Sequence, residues 1–243
     1  MILLLGGTTE AKQVAGYLEE AGLDYIYSTR TEVTFEGKGK YRYGSLTAGG
    51  LKEFCKVNGI SQLIDACHPF AKELHVTVAS IANEIPVIRF EREFSRRITD
   101  QLIHYITDYA AALVQIKQQG YQSMLALTGV QSIPHLSSFW QNYPCWFRIL
   151  NREYSIDFAA RYHFPEKNLL FGLPQEKNEE IELFNRLKPQ VIITKESGLN
   201  GRLDAKIEAA IACHIPIFIL IKPDLSTLFK IVHNKQELLN SIQ

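Results

Sequence analysis

The sequence predicts an α/β protein built as two doubly wound parallel-sheet domains that share a cleft. Three observations carry this expectation. Short apolar runs of strand length alternate with helix-period segments from end to end. The runs are apolar at nearly every position, as strands covered on both faces by helices must be. Several runs end in small or polar residues, where open α/β sheets receive ligands.

The elements follow in order. Ile2–Leu5 is the first strand, and Ala11, Val14, Ala15 and Leu18 mark one face of the first helix. Tyr25–Ser28 and Gln62–Asp65 are the next strands, and Leu74, Val78 and Ile81 mark a helix after the second of these. Pro69 suits a first helical position, which needs no amide donor, and this puts His68 near an N-cap. Val87–Phe90 is followed by the charged stretch from Glu91 to Arg97. Later strands are Ile103–Ile106, Met124–Leu127, Trp146–Leu150, Leu169–Phe171, Val191–Thr194 and Ile217–Ile221. Helical faces appear at Leu113 and Ile116, and at Leu203, Ile207, Ala210 and Ile211. The pattern around Gln236–Asn240 reads as a closing helix. So many strands fit two sheets of about four or five strands better than one. The charged stretch is the expected boundary, with one domain over residues 1–95 and the other over 98–243.

Composition narrows the class. The chain has 243 residues, 46% hydrophobic and 21% charged, which is ordinary for a globular protein in water. A net charge of zero implies no bulk attraction to nucleic acid. The four cysteines show no C-x-x-C spacing, so neither a metal site nor a disulfide framework is expected. The apolar start, Met1–Leu5, is cut off by Gly6-Gly7 and has no basic flank, unlike a signal peptide. No run approaches the roughly 20 apolar residues of a membrane span. A cytoplasmic enzyme or binding protein acting on a small molecule is expected, with oligomeric state left open.

Four turns carry candidate chemistry. Gly6-Gly7-Thr8-Thr9-Glu10 joins the first strand to the first helix, where glycines let backbone approach a pyrophosphate and helix amides face an anion. It lacks the G-x-G-x-x-G spacing, and it also reads as a tight turn capped by a threonine. Ser28-Thr29-Arg30 ends the second strand, where an NAD site would place an acidic residue. Two hydroxyls and an arginine suit a 2′-phosphate instead, so NADP is favoured over NAD.

The densest turn is Asp65-Ala66-Cys67-His68-Pro69-Phe70-Ala71. A helix N-terminus at His68 disfavours positive charge, so a largely neutral imidazole is expected there. Asp65 reads either as an anchor of the turn or, if desolvated, as a proton donor. Thr194-Lys195-Glu196-Ser197-Gly198 forms the fourth turn, where Lys195 offers a compact cation to an anionic ligand. Lys206 on the next helix reads by itself as a solvated lysine. Arg89, Arg92, Arg96 and Arg97 crowd the expected boundary and either bind carboxylates in forked geometry or pair with Glu91 and Glu93. His75, His104, His135, His163, His214 and His233 show no ligand spacing and read as structural or surface residues.

Together these motifs resemble the precorrin-6A reductase family of cobalamin biosynthesis, including its cobalt-precorrin-6A form, over nearly the whole chain. The opening strand with Gly6-Gly7-Thr8 and Glu10 resembles the family's start. Asp65 to Ala71 matches its D-A-[TS]-H-P-F-A motif, with Cys67 at the variable place. Arg89-Phe90-Glu91-Arg92, Leu127-Thr128-Gly129, Trp146–Leu150, and Thr194–Gly198 with Lys206 and Ala209-Ala210 match later stretches. Tyr43-Gly44-Ser45-Leu46-Thr47 departs from a glycine-rich run in many relatives. Leu199 replaces a glycine, and Lys222 replaces a common arginine.

The resemblance implies two Rossmann-like domains holding cofactor and tetrapyrrole between them. It implies NADPH-dependent reduction of a ring double bond of precorrin-6A, or its cobalt form, to the 6B dihydro form. Expected catalytic residues are Asp65, His68 and Lys195. Expected cofactor contacts are Gly6, Gly7, Thr8, Ser28, Thr29, Arg30, Thr128 and Gly129. Expected substrate contacts are Phe70, Arg89, Arg92, Ser197, Gly198 and Lys206. Two other classes stay open at this point. A short-chain reductase needs a Tyr-x-x-x-Lys pair, which Tyr41, Tyr105 and Tyr121 do not supply. A non-catalytic nucleotide- or tetrapyrrole-binding module would bind without turnover.

Overall fold

The computed structural model describes residues 1–92, 94, 96–198 and 201–242. Its elements run β1 (Ile2–Leu5), α1 (Thr9–Glu20), β2 (Tyr25–Thr29), β3 (Lys40–Tyr43), α2 (Ala48–Val57), β4 (Gln62–Asp65), α3 (Lys72–Ala79) and β5 (Val87–Phe90). They continue with β6 (Ile103–Ile106), α4 (Tyr109–Gln118), β7 (Met124–Leu127), α5 (Ser137–Trp140), β8 (Cys145–Ile149), α6 (Glu153–Arg161) and β9 (Leu169–Phe171). Last come α7 (Lys177–Leu187), β10 (Val191–Lys195), α8 (Leu203–Ala212), β11 (Ile217–Leu220), β12 (Phe229–Val232) and α9 (Lys235–Leu239).

Two compact units result, one of Met1–Glu93 with Pro223–Gln243 and one of Phe94–Lys222. Each holds a six-stranded sheet, ordered β12-β5-β4-β1-β2-β3 in the first and β6-β11-β10-β7-β8-β9 in the second. Every strand pair in both is parallel. The expected α/β class holds, with sheets larger than the expected four or five strands.

The apolar runs explain the layering. Side chains of a strand alternate between faces. Ile2 and Leu4 of β1 pack with Val14 and Leu18 of α1, while Leu3 and Leu5 pack with Leu51 of α2 and Val78 of α3. In the second unit, Leu125, Ile192 and Ile217 pack with Phe184 of α7 and Ile207 of α8.

Two strands lacked the apolar signal. β3 reads Lys-Tyr-Arg-Tyr and β12 reads Phe-Lys-Ile-Val, and both lie at the edges of the first sheet. An edge strand is covered on fewer sides, so its sequence is not forced to be apolar throughout. β12 pairs with β5, setting Phe229 opposite Val87 and Val232 opposite Phe90. Residues 223–243 therefore lie with the first unit, where a single cut between 95 and 98 groups them with the second.

A second difference concerns α3. It begins at Lys72, not at Pro69, and Ala71 stands at its N-cap. The amide of Ala71 donates to the carbonyl of His68 at 2.9 Å, so residues 68–71 form a turn before the helix. Pro69 takes the second position of that turn, where its fixed φ is also favoured. His68 is exposed in the turn rather than held at the helix N-cap.

Candidate functional site

In the first unit, parallel register brings the carboxyl ends of five strands into line. Leu5 faces Ser28 on one side and Asp65 on the other, while Ser28 faces Arg42 and Asp65 faces Arg89. The β1–α1 turn sits at the middle of this line. The Gly6 amide donates to the Ser28 carbonyl at 2.8 Å, and the Gly7 amide donates to the Tyr27 hydroxyl at 3.1 Å. A Cβ on Gly6 would fall 2.6 Å from the Tyr27 ring, so only glycine fits. Gly7 has φ +103°, and no atom lies within 4 Å of where its Cβ would be. This opening at the head of α1 leaves backbone exposed to an incoming ligand. Thr8 caps α1, accepting from the Ala11 amide at 3.0 Å.

The Asp65–Ala71 turn stands beside this glycine turn and is tied to it. Thr8 Oγ1 donates to the Ala66 carbonyl at 2.6 Å, and Cys67 Sγ donates to the Gly6 carbonyl at 3.5 Å. Burial pushes the Cys67 thiol well up, which keeps it a donor. Asp65 is fully buried beneath the turn. Its Oδ1 accepts from the Cys67 amide at 3.0 Å and lies 3.0 Å from Arg89 Nη1. Its Oδ2 lies 3.4 Å from Nε2 of His75, one of the histidines read as structural. Burial lowers the His75 pKa, with Arg89 acting in the same direction and Asp65 and Glu91 opposing it.

Asp65 and Arg89 are thus committed to each other below the surface, and Arg89 also faces Glu91 at 4.0 Å. Arg92 bonds the buried Glu10 at 2.7 Å. His68, by contrast, is exposed, with Phe70 beside it at a ring separation of 5.9 Å. The Phe70 amide donates to His68 Nδ1 at 3.2 Å, so that nitrogen keeps its lone pair and a neutral ring carries its proton on Nε2.

At the end of β2, Thr29 Oγ1 donates to the Thr31 carbonyl at 2.7 Å and meets the Tyr41 hydroxyl at 2.9 Å. Arg30 is exposed on the bend that follows. Ser28 Oγ accepts from Nη1 of Arg42 at 2.8 Å. Arg42 carries no apolar or motif signal, and only strand pairing brings it to this place.

The second unit repeats the arrangement at β7 and β10. Thr194 pairs with Leu127, so Thr128 and Lys195 are the next residues at adjacent strand ends. Thr128 Oγ1 is hydrogen-bonded to Ser132 Oγ, and Gly129 has φ +79°. Tyr109 stacks on His135 at 5.2 Å close by on α4, and burial raises its hydroxyl pKa to about 12. Burial lowers Lys195 to about 8. Burial acts to raise Glu196, but bonds from Arg97 at 2.9 Å and from the Lys222 amide at 2.9 Å outweigh it and lower the pKa.

Lys206 is not solvated: it is 3% exposed, and its Nζ donates to the Gly201 carbonyl at 2.6 Å. Burial, reinforced by Arg148 and opposed by Glu180, lowers it to about 8. The Gly201 amide in turn donates to the Gly198 carbonyl at 3.1 Å. Leu199, Glu93 and its expected pairing with the arginines lie outside the described residues.

The family model Precorrin-6x reductase CbiJ/CobK matches residues 1–243. The chain belongs to the precorrin-6x reductase family. Among curated relatives, a cobalt-precorrin-6A reductase of Priestia megaterium is 28% identical over 96% of this chain and 97% of its own. A precorrin-6A reductase of Rhodococcus erythropolis is 30% identical over 92% of this chain and 90% of its own. The solved structure of CobK precorrin-6A reductase shares the fold with a TM-score of 0.78, at 22% identity, over 98% of this chain and 94% of that one.

Membership makes the chain an oxidoreductase, and a reductase of this kind implies a nicotinamide cofactor. The residues of this member fit such a group. The open Gly7 position suits close backbone approach, and the Ser28–Arg42 pair offers donors at the strand next door. Among the described residues, no helix is long and apolar enough to cross a membrane.

Proposed function

We propose that this member reduces a ring double bond of precorrin-6A, metal-free or carrying cobalt, to the 6B dihydro form with NADPH as hydride donor. Reduction of precorrin-6A in cobalamin biosynthesis is the activity of the family. The observation that supports the cofactor reading is the line of strand ends in the first unit. It sets a glycine turn with no side chain at β1 beside hydroxyl and guanidinium groups at the ends of β2 and β3. That combination suits a pyrophosphate followed by a 2′-phosphate.

When bound, the cofactor supplies the hydride. This chain's residues bind, orient and move protons. Gly6, Gly7 and Thr8 hold the phosphates, and Ser28, Thr29 and Arg30 face the ribose end. Thr128 and Gly129 are the further cofactor contacts of this reading. His68 and Phe70 orient the substrate, with the Nε2 proton of His68 directed to it. Asp65 acts through the turn that it anchors. Lys195 offers its ammonium to a substrate carboxylate, and Ser197 and Gly198 offer hydrogen bonds. Arg89, Arg92 and Lys206 support these turns from within. The enzyme thus belongs with oxidoreductases acting on CH–CH bonds with NADP, in the cytoplasm.

Absorbance at the nicotinamide band tests this reading directly. With purified protein, NADPH and precorrin-6A, with and without cobalt, the band is expected to fall as the tetrapyrrole is reduced. Binding of both molecules with a constant band would assign the chain to a non-catalytic role.

A further inference from the structure

Two arginines stand near the carboxyl end of β2, and they differ in how they are held. Arg30 follows the strand on an exposed bend. Arg42 comes from β3, where parallel pairing sets it opposite Ser28. Its Nη1 donates to Ser28 Oγ at 2.8 Å, and its Nη2 donates to the carbonyls of Tyr43 at 2.8 Å and Gly44 at 2.7 Å. The guanidinium lies over the Phe54 ring at 5.3 Å. A guanidinium carries five N–H donors. Among the described residues, these bonds leave the Nε–H and one Nη1–H of Arg42 uncommitted.

Ser28 is buried and its Oγ accepts from Arg42, so its own hydrogen remains a donor. The pair therefore presents a hydroxyl donor and guanidinium donors side by side, next to the glycine turn of β1. Gly44 keeps the place open: its φ is +104°, and a Cβ there would lie 3.4 Å from Arg42 Nη2. The sheet order β3-β2-β1-β4-β5 is the order in which the ribose of a dinucleotide bound at β1 reaches the end of β2.

We propose that Arg42, held by Ser28, is the residue that recognises the 2′-phosphate and sets the preference for NADPH over NADH. This rests on the proposed use of NADPH. Arg42 takes precedence over Arg30 because it is fixed before the ligand arrives, whereas an unrestrained arginine surrenders rotamer entropy when ordered. Arg30 lies on the outer side of the same strand end and adds charge without setting the selectivity.

The test measures Kd for NADPH and NADH at fixed ionic strength with the full chain, using nicotinamide fluorescence. The proteins are wild type, Arg42→Gln, Arg42→Lys and Arg30→Gln, each checked for fold by circular dichroism. Wild type is expected to prefer NADPH. Arg42→Gln is expected to weaken NADPH about 10- to 100-fold, the range for lost charged hydrogen bonds, and NADH by less than about twofold. Arg42→Lys is expected to lose about 3- to 10-fold for NADPH alone, and Arg30→Gln less than Arg42→Gln.

Equal weakening of both dinucleotides by Arg42→Gln overturns the proposal and reduces Arg42 to a brace for its turn. Unchanged NADPH affinity in that variant overturns it too, while a discriminating wild type leaves the use of NADPH standing. A wild type that does not discriminate ends both readings. If Arg42→Gln fails to fold, absence of selective loss in Arg42→Lys overturns the proposal.

Discussion

Asp65 and Arg89 neutralise each other below the strand ends, with 0% and 1% exposure. Removing one charge leaves the other uncompensated in a poor solvent. Asp65→Ala is therefore expected to cost about 3–5 kcal/mol in denaturant titration, and a loss below about 1 kcal/mol contradicts this account of the pair. His68 stands on the exposed side of the same turn. His68→Ala is expected to lower kcat about 10- to 100-fold while leaving the Kd of NADPH unchanged, and unaltered kinetics removes it from the site. Lys195 sets a pH dependence. Its ammonium is present below about 8 and lost above it, so KM for the polycarboxylate substrate is expected to rise as pH passes that value. Lys195→Gln is expected to have a high KM at every pH and no such rise. A rise that persists in the variant belongs to another group, such as Lys206, which shares the value. The chemistry of these residues was legible from their types and spacing. Their burial was not, because a charged side chain is buried only where a tertiary partner meets it, as Arg89 meets Asp65 and the Gly201 carbonyl meets Lys206.

At the scale of elements, Gly6 and Gly16 of the β1–α1 segment carry opposite expectations. Gly6 has the Tyr27 ring 2.6 Å from a would-be Cβ, whereas Gly16 within α1 has no atom within 4 Å. Gly16→Ala is expected to stabilise the protein by about 0.5–1 kcal/mol through helix propensity. Gly6→Ala is expected to destabilise by about 1–3 kcal/mol, since Tyr27 must be displaced, and to weaken dinucleotide binding. Thermal unfolding of the two variants checks both signs, and equal shifts contradict the close approach at Tyr27. The central strands were legible because burial on both faces demands apolar residues throughout, as in Ile2–Leu5 and Val191–Ile193. β3 and β12 escaped notice as edge strands. With β3 went Arg42, whose place beside Ser28 follows from pairing between strands and from no local pattern. The start of α3 was misplaced because Pro69 fits the first turn of a helix and the second position of a tight turn equally well.

At the scale of the molecule, β12 and α9 return to the first unit from the far end of the chain. No local signal marks such a return, since periodicity reports what an element is and not which sheet receives it. Removal of residues 223–243 is expected to strip β5 of its outer partner. Amide exchange should then accelerate at Val87–Phe90 and stay slow at β7 and β10. Equal loss of protection in both sheets contradicts the division into units. The account as a whole rests on hydride passing directly from NADPH to a ring carbon of the tetrapyrrole. The most direct measurement is a single turnover with NADPH deuterated at the transferable position of nicotinamide C4, followed by mass analysis of the reduced macrocycle. The account predicts one deuterium at the reduced ring carbon and its neighbour protonated from solvent. A product whose added hydrogens both come from solvent contradicts it.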